Sequence, residues 1–190
     1  RKGLSEEGAD YYMRRVKELR AEIGTHFHLL SEIALGACAD ESLCHEEAIE
    51  MLGRWKDDFL PRIGKVWIVE RPMVHRVFCY AGMPDLVAEI DGVPTLVDWK
   101  TVQASKPRAR HGYLRMAAPD DEPLRDICHH LEAIDLQEGK QDESKFKVRD
   151  EWRLQQAAYV ALCRDVYGID LCNGMNVMVS VDGVRCHKWN

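Results

Sequence analysis

The chain has 190 residues, 46% of them hydrophobic and 31% charged, with a formal net charge of −6. That is enough chain for one domain with a real core, and no apolar run approaches the roughly 20 residues of a membrane span. The acidic balance argues against a generic nucleic-acid coat protein, whose affinity comes from excess Lys and Arg. It leaves room for an enzyme with carboxylates in its site and a local basic groove beside it.

Residues 5–22 read as a helix opened by Ser5 and two glutamates. Tyr12, Val16 and Leu19 form its apolar stripe, and Arg14, Arg15, Lys17 and Arg20 give it a positive face. That face is either solvated or turned to phosphate. The segment from Gly24 to about Leu35 opens a new helix or continues this one, and His28 and Glu32 share a face of it. On these residues alone His28 is most simply structural, and His26 points elsewhere around the helix. Residues 36–44 read as a loop. Glu46 to about Leu60 reads as a helix with Ala48, Met51, Leu52, Trp55 and Phe59 at helical spacing, stopped by Pro61. Val66–Glu70 and Val74–Tyr80 read as two strands separated at Arg71-Pro72.

The next stretch carries the chemistry. Leu86–Ile90 and Thr95–Lys100 form a β-hairpin about Asp91-Gly92, a strong two-residue turn. Period-2 alternation puts Asp98 and Lys100 on one face, and antiparallel pairing brings Asp85 back to the same end. Buried carboxylates are costly unless they are paired or bind a cation. Two readings follow from the residues. Lys100 forms a structural ion pair with one aspartate, or Asp85 and Asp98 hold a hard divalent cation with Lys100 beside an activated water.

From Thr101 to Asp150 the connection is longer than usual, and about 102–148 reads as an irregular insert or lid. Lys106, Arg108, Arg110, His111 and Arg115 cluster there with Tyr113. They make either a solvated loop or, together with Thr101, a DNA-contacting one, since basic groups grip phosphate and aromatics stack on unpaired bases. Leu124, Ile127, Leu131 and Ile134 mark a short helix. His129 and His130 on it face different ways and are not tandem ligands. Glu151 to about Val166 is a helix in which Gln155 and Tyr159 are i, i+4 neighbours. Asn176–Val181 and Val184–Trp189 are strands joined at Asp182-Gly183. Seven scattered cysteines, Cys38, Cys44, Cys79, Cys128, Cys163, Cys172 and Cys186, include no CxxC pair. This points to reduced thiols and an intracellular protein, cytoplasmic, nucleoid-associated or organellar.

Four motifs stand in order: Gly24-Thr-x-x-His28-x-x-x-Glu32, Gly82-x-Pro84-Asp85, Asp98-x-Lys100 and Gln155-x-x-x-Tyr159. Twelve residues separate Asp85 from Asp98. The set resembles the PD-(D/E)XK nuclease superfamily, in its RecB-type exonuclease branch, over roughly residues 22–181. The resemblance implies a restriction-endonuclease-like α/β fold, a mixed sheet flanked by helices, in a single nuclease domain. It implies a metal-dependent deoxyribonuclease, an exonuclease acting on DNA ends or single strands. It assigns His28, Asp85, Asp98 and the Trp99 carbonyl to Mg²⁺ or Mn²⁺, with Lys100, Gln155 and Tyr159 completing the catalytic set. Glu70 falls where this branch often has a glutamate, and Glu32 acts through a water or as a structural partner. Some relatives carry an iron–sulfur cluster, but Cys163, Cys172 and Cys186 lack its spacing, so none is expected. The expected partners are DNA and proteins of replication or recombination. Two rival readings are a structure-specific endonuclease, marked by dimers and cutting of circles, and a DNA-binding module with no need of a metal.

Overall fold

The computed structural model describes residues 3–36, 44–103, 107–137 and 148–189; the side chains at 107–110 and 135–137 lie outside this description. The segment from Gly24 continues the first helix, giving α1 (Glu6–Ala34). Ser5 caps it by accepting from the Gly8 amide at 3.1 Å, and Glu6 and Glu7 suit the positive end of its dipole. Gly24 lowers helix propensity by about 1 kcal/mol relative to Ala without breaking the helix. Its lack of a side chain serves packing, since a Cβ there would lie 3.2 Å from Thr101 Oγ1.

Next come α2 (Glu46–Asp58), a 3-10 turn at Leu60–Arg62 that contains Pro61, and strand β1 (Ile63–Val69). The strand expected over Val74–Tyr80 is a small separate hairpin, β2 (Met73–His75) and β3 (Tyr80–Gly82). Cys79, with φ of +53°, reverses the chain where continuous extension was expected. The central hairpin, β4 (Leu86–Ile90) and β5 (Val93–Thr101), pairs Leu86 with Val97 and Ile90 with Val93. Its turn residues Asp91 and Gly92 both have positive φ, +53° and +80°, as a twist-matched two-residue turn requires.

The described part of the insert, 107–137, is mostly helical rather than irregular, with α3 (Pro107–Ala117) and α4 (Glu122–Gln137). Pro107 fits a first helical turn, and His111, Leu114 and Ala117 place one face inward. Leu114, Leu124 and Cys128 pack with Leu19 in the N-terminal half of α1. The long helix α5 (Asp150–Tyr167) ends at Gly168, whose φ of +65° closes it in the left-handed conformation. Strands β6 (Asn173–Ser180) and β7 (Gly183–Trp189) complete the chain.

The five-stranded sheet has the order β1-β4-β5-β6-β7, antiparallel except for the parallel β5–β6 pair. It is a mixed sheet flanked by helices. Leu86, Ala88, Ile90, Val97, Trp99, Met175, Val177 and Val179 pack with Phe27, Leu30, Met51 and Trp55 of α1 and α2. Val87 and Leu96 belong to the opposite face, with Leu162 and Cys163 of α5. Trp99 is the pin of the first face, meeting Trp55 and Phe59 edge-on at centroid distances of 5.5 and 5.4 Å. Its anchorage turns its neighbours Asp98 and Lys100 toward α5.

Candidate active site

Register assembles the site. Val69 pairs with Leu86, and Leu86 with Val97, so the next position along each strand brings Glu70, Asp85 and Asp98 into one row. The parallel pairing extends that row to Asn176 on β6, and β7 adds His187. The Glu70 amide donates to the Asp85 carbonyl at 3.1 Å, and Glu70 itself has φ of +41°. A non-glycine residue in that region is uncommon, and here it occurs where β1 ends and the side chain enters the site.

Strand β5 runs on past the start of β4, which leaves the Trp99 amide without a ladder partner on that side. Asp85 takes the place of the missing strand, its Oδ2 accepting the Trp99 N–H at 2.5 Å. A residue's N–H and C=O leave a strand on the same side, so the Trp99 carbonyl is directed toward the Asp85 side as well. From α1, His28 Nδ1 meets Glu70 Oε1 at 2.8 Å and lies 3.6 Å from Asp85 Oδ1. Ligand atoms of His28, Glu70 and Asp85 all fall within 4.8 Å of one another. One imidazole nitrogen and two carboxylates suit Mg²⁺ or Mn²⁺.

The second half of the site is the ion pair of Lys100 Nζ with Asp98 Oδ2 at 2.7 Å. Lys100 also approaches Gln155 Oε1 at 3.4 Å, and Gln155 Nε2 donates to the Tyr159 hydroxyl at 3.2 Å. Gln155 and Tyr159 therefore form one hydrogen-bonded line on α5 leading to the lysine. Gly82 explains itself against that line, because a Cβ there would overlap the Tyr159 ring. We predict that Gly82→Ala lowers stability by about 1–3 kcal/mol through overpacking. In a Tyr159→Ala background the same methyl should cost little, and a double-mutant cycle in urea measures the difference.

Burial sets the protonation. It pushes the Asp85 carboxyl up to about 7, helped by the charges of Asp98 and Glu70 and opposed by His28 and the Trp99 amide. Burial also raises Asp98 against the pull of Lys100 and Asn176. For His28 burial opposes the imidazolium, but the Glu70 hydrogen bond and the charges of Asp85, Glu70 and Asp98 outweigh it, so its pKa rises above 6.5. Glu32, one turn along α1, is raised by burial and by Glu70. A group held above its unfolded pKa stabilises the fold below the unfolded value, and that contribution fades as pH rises through the folded one. For Asp85 the window runs from 3.8 to about 7, and for His28 it begins at 6.5. The metal-free protein should therefore melt at lower temperature at pH 8 than at pH 5.5. Calorimetric scans with and without Mn²⁺ should show the cation erasing most of the loss.

Of the expected DNA-contact residues, Thr101, Tyr113 and Arg115 are described, and each has its contacts elsewhere. Thr101 lies on the α1 side of β5, beside Gly24. Tyr113 donates its hydroxyl to Glu50 and Arg115 pairs with Glu132 at 2.6 Å, so both are engaged within the protein. Lys106 and the side chains of Arg108 and Arg110 lie outside the description. His26 meets the tilted ring of His45 at a centroid distance of 4.7 Å, away from the site.

Three site residues escaped sequence reasoning. Trp152 places its ring 5.7 Å from Lys100 Nζ, one turn before Gln155 on α5, and that i, i+3 spacing could have found it. Asn176 donates to Asp98 Oδ2 at 2.8 Å, and its signal was a polar residue inside an apolar strand. Trp189 donates to Asn176 Oδ1 at 2.6 Å, and nothing in the sequence pointed to it.

Compared with known proteins, the chain matches no family model and no curated sequence. The six described cysteines are free thiols, and Cys38 lies outside the description. No helix among the described residues is long and apolar enough to cross a membrane.

Proposed function

We propose that this chain is a divalent-metal-dependent deoxyribonuclease built on a restriction-endonuclease-like core. The observation that carries the reading is the row of Glu70, Asp85 and Asp98 at one end of the sheet, with His28 closing one side and Lys100 the other. The order of elements supports the reading: α1 and α2 precede the antiparallel strands β1, β4 and β5, and α5, which bears Gln155 and Tyr159, leads into β6 parallel to β5.

His28, Glu70 and Asp85 would hold Mg²⁺ or Mn²⁺, with Asp98 and the Trp99 carbonyl beside them. Such a cation supplies Lewis acidity to a scissile phosphodiester and lowers the pKa of an attacking water. Lys100 orients that water and places positive charge where the phosphoryl oxygens gain electron density. Gln155 and Tyr159 hold the lysine in line, and Trp152 offers an aromatic face beside it. By sequence alone, the basic run of Lys106, Arg108 and Arg110 offers charge for a phosphate backbone. The favoured substrate is a DNA end or single strand met during replication, recombination or repair.

The test incubates end-labelled single-stranded, duplex and circular DNA with Mg²⁺ or Mn²⁺. Degradation that needs the metal and spares circles supports an exonuclease, while nicked circles move the reading to an endonuclease. Folded protein that neither cleaves any substrate nor takes up Mn²⁺ in calorimetry would leave a DNA-binding module as the better account.

A further inference from the structure

We infer that Asn176 and Trp189 are positioning residues that fix the carboxylate of Asp98, and through it Lys100; the inference rests on the active-site reading above. Asn176 is fully buried, and its neighbours Met175, Val177, Met178 and Val179 are buried and apolar. An amide in such a place is tolerated only when its donors and acceptor are matched. Here Nδ2 donates to Asp98 Oδ2 at 2.8 Å, and Oδ1 accepts from Trp189 Nε1 at 2.6 Å.

The polarity of this chain is fixed at its far end. An indole nitrogen can only donate. A flipped Asn176 would set its NH₂ against the indole N–H and its oxygen against a carboxylate. Trp189, two strands away from Asp98, therefore decides which way the amide faces, and the amide presents a donor to Asp98. The ring of Trp189 is itself held, with His187 edge-on at 4.2 Å. Asn176 and Lys100 meet the same oxygen of Asp98, Oδ2. The carboxylate is thus held through one oxygen by two donors from different strands. Asp85 is oriented differently, by the backbone amide of Trp99. The two aspartates of the row are set by independent means, one by main chain and one by side chain.

A purely structural pair could be replaced by apolar groups of similar shape at little cost, whereas a positioning chain could not. Trp189→Phe keeps a ring and removes the donor, and Asn176→Leu removes the whole relay. Outer partners of metal-site groups typically contribute about 10–100-fold in affinity or activity. We expect both variants to weaken Mn²⁺ binding in calorimetry and to lower kcat by about that factor, with KM changed by less than about two-fold. A metal-free readout runs in parallel: in ¹⁵N-labelled protein, the side-chain amide protons of Asn176 should exchange faster in Trp189→Phe than in wild type.

Should Asn176→Leu fail to fold, Trp189→Phe decides alone. A folded Trp189→Phe with wild-type Mn²⁺ affinity, kcat and amide exchange overturns the inference. Failure of the nuclease reading looks different, because it appears in the wild type as absence of both Mn²⁺ binding and cleavage. The exchange measurement then still judges the positioning chain, and unchanged exchange sinks it.

Discussion

Lys100→Ala is expected to lower DNA cleavage by about 10²–10⁴-fold while Mn²⁺ still binds. The lysine stands outside the His28, Glu70 and Asp85 cluster, so its loss removes no ligand atom. What disappears is the positive charge 2.7 Å from Asp98 and on the face of Trp152. Stability should fall as well, because Asp98 is buried and loses its ionic partner. Breaking a buried pair costs about 3–5 kcal/mol; Lys100 is partly exposed and Asn176 still donates to Asp98, so the loss should lie at or below the low end. Lys100→Gln separates the two effects. The glutamine can still donate to Asp98, so it should recover stability without recovering rate. Near-normal cleavage by a folded Lys100→Gln would show that charge at this position is dispensable.

Asp85→Asn should move stability and function in opposite directions. The amide oxygen can still accept the Trp99 N–H, which preserves the strand end. The charge that burial disfavours and that Asp98 and Glu70 repel is removed. At pH 8, where the wild-type carboxyl is ionised, the variant should gain about 1–3 kcal/mol in the absence of metal. For a chain of this size that is roughly 2–10 °C in Tm. Mn²⁺ affinity should drop by at least about 100-fold, and cleavage should reach background. Proteins accept destabilised groups of this kind where function requires them. A metal-free Asp85→Asn that melts below wild type at pH 8 would contradict the picture of a strained acidic site.

The hairpin and its charge constellation were legible because their determinants are local. Asp91-Gly92 names its turn, alternation sets the faces, and Asp85 must then return beside Asp98. Gln155 and Tyr159 were placed by helical spacing for the same reason. Determinants that act across space were not legible. Gly24 reads equally as a helix boundary or a helix interior until Thr101 is seen against it. The basic run near Arg115 and Tyr113 reads as a loop because its partners, Glu132 and Glu50, are distant in sequence. Glu70 came only through resemblance, as its position depends on two irregularities in the β1–β4 pairing. Asn176 and Trp189 depend on the β5–β6 and β6–β7 registers together.

The alignment of Glu70, Asp85, Asp98 and Asn176 across four strands has a consequence for how this chain can change in length. Adding or deleting one residue within β4, β5 or β6 shifts everything beyond it by one place and turns it to the other face of the sheet. The chemical groups would then be scattered even if the sheet still formed. The small hairpin of β2 and β3 lies between two members of the row without belonging to it, and its turn at Arg76–Cys79 can lengthen without moving either end. Length variation should therefore be absorbed at that turn and between β5 and α5, while the spacing from Asp85 to Asp98 stays locked by their shared ladder.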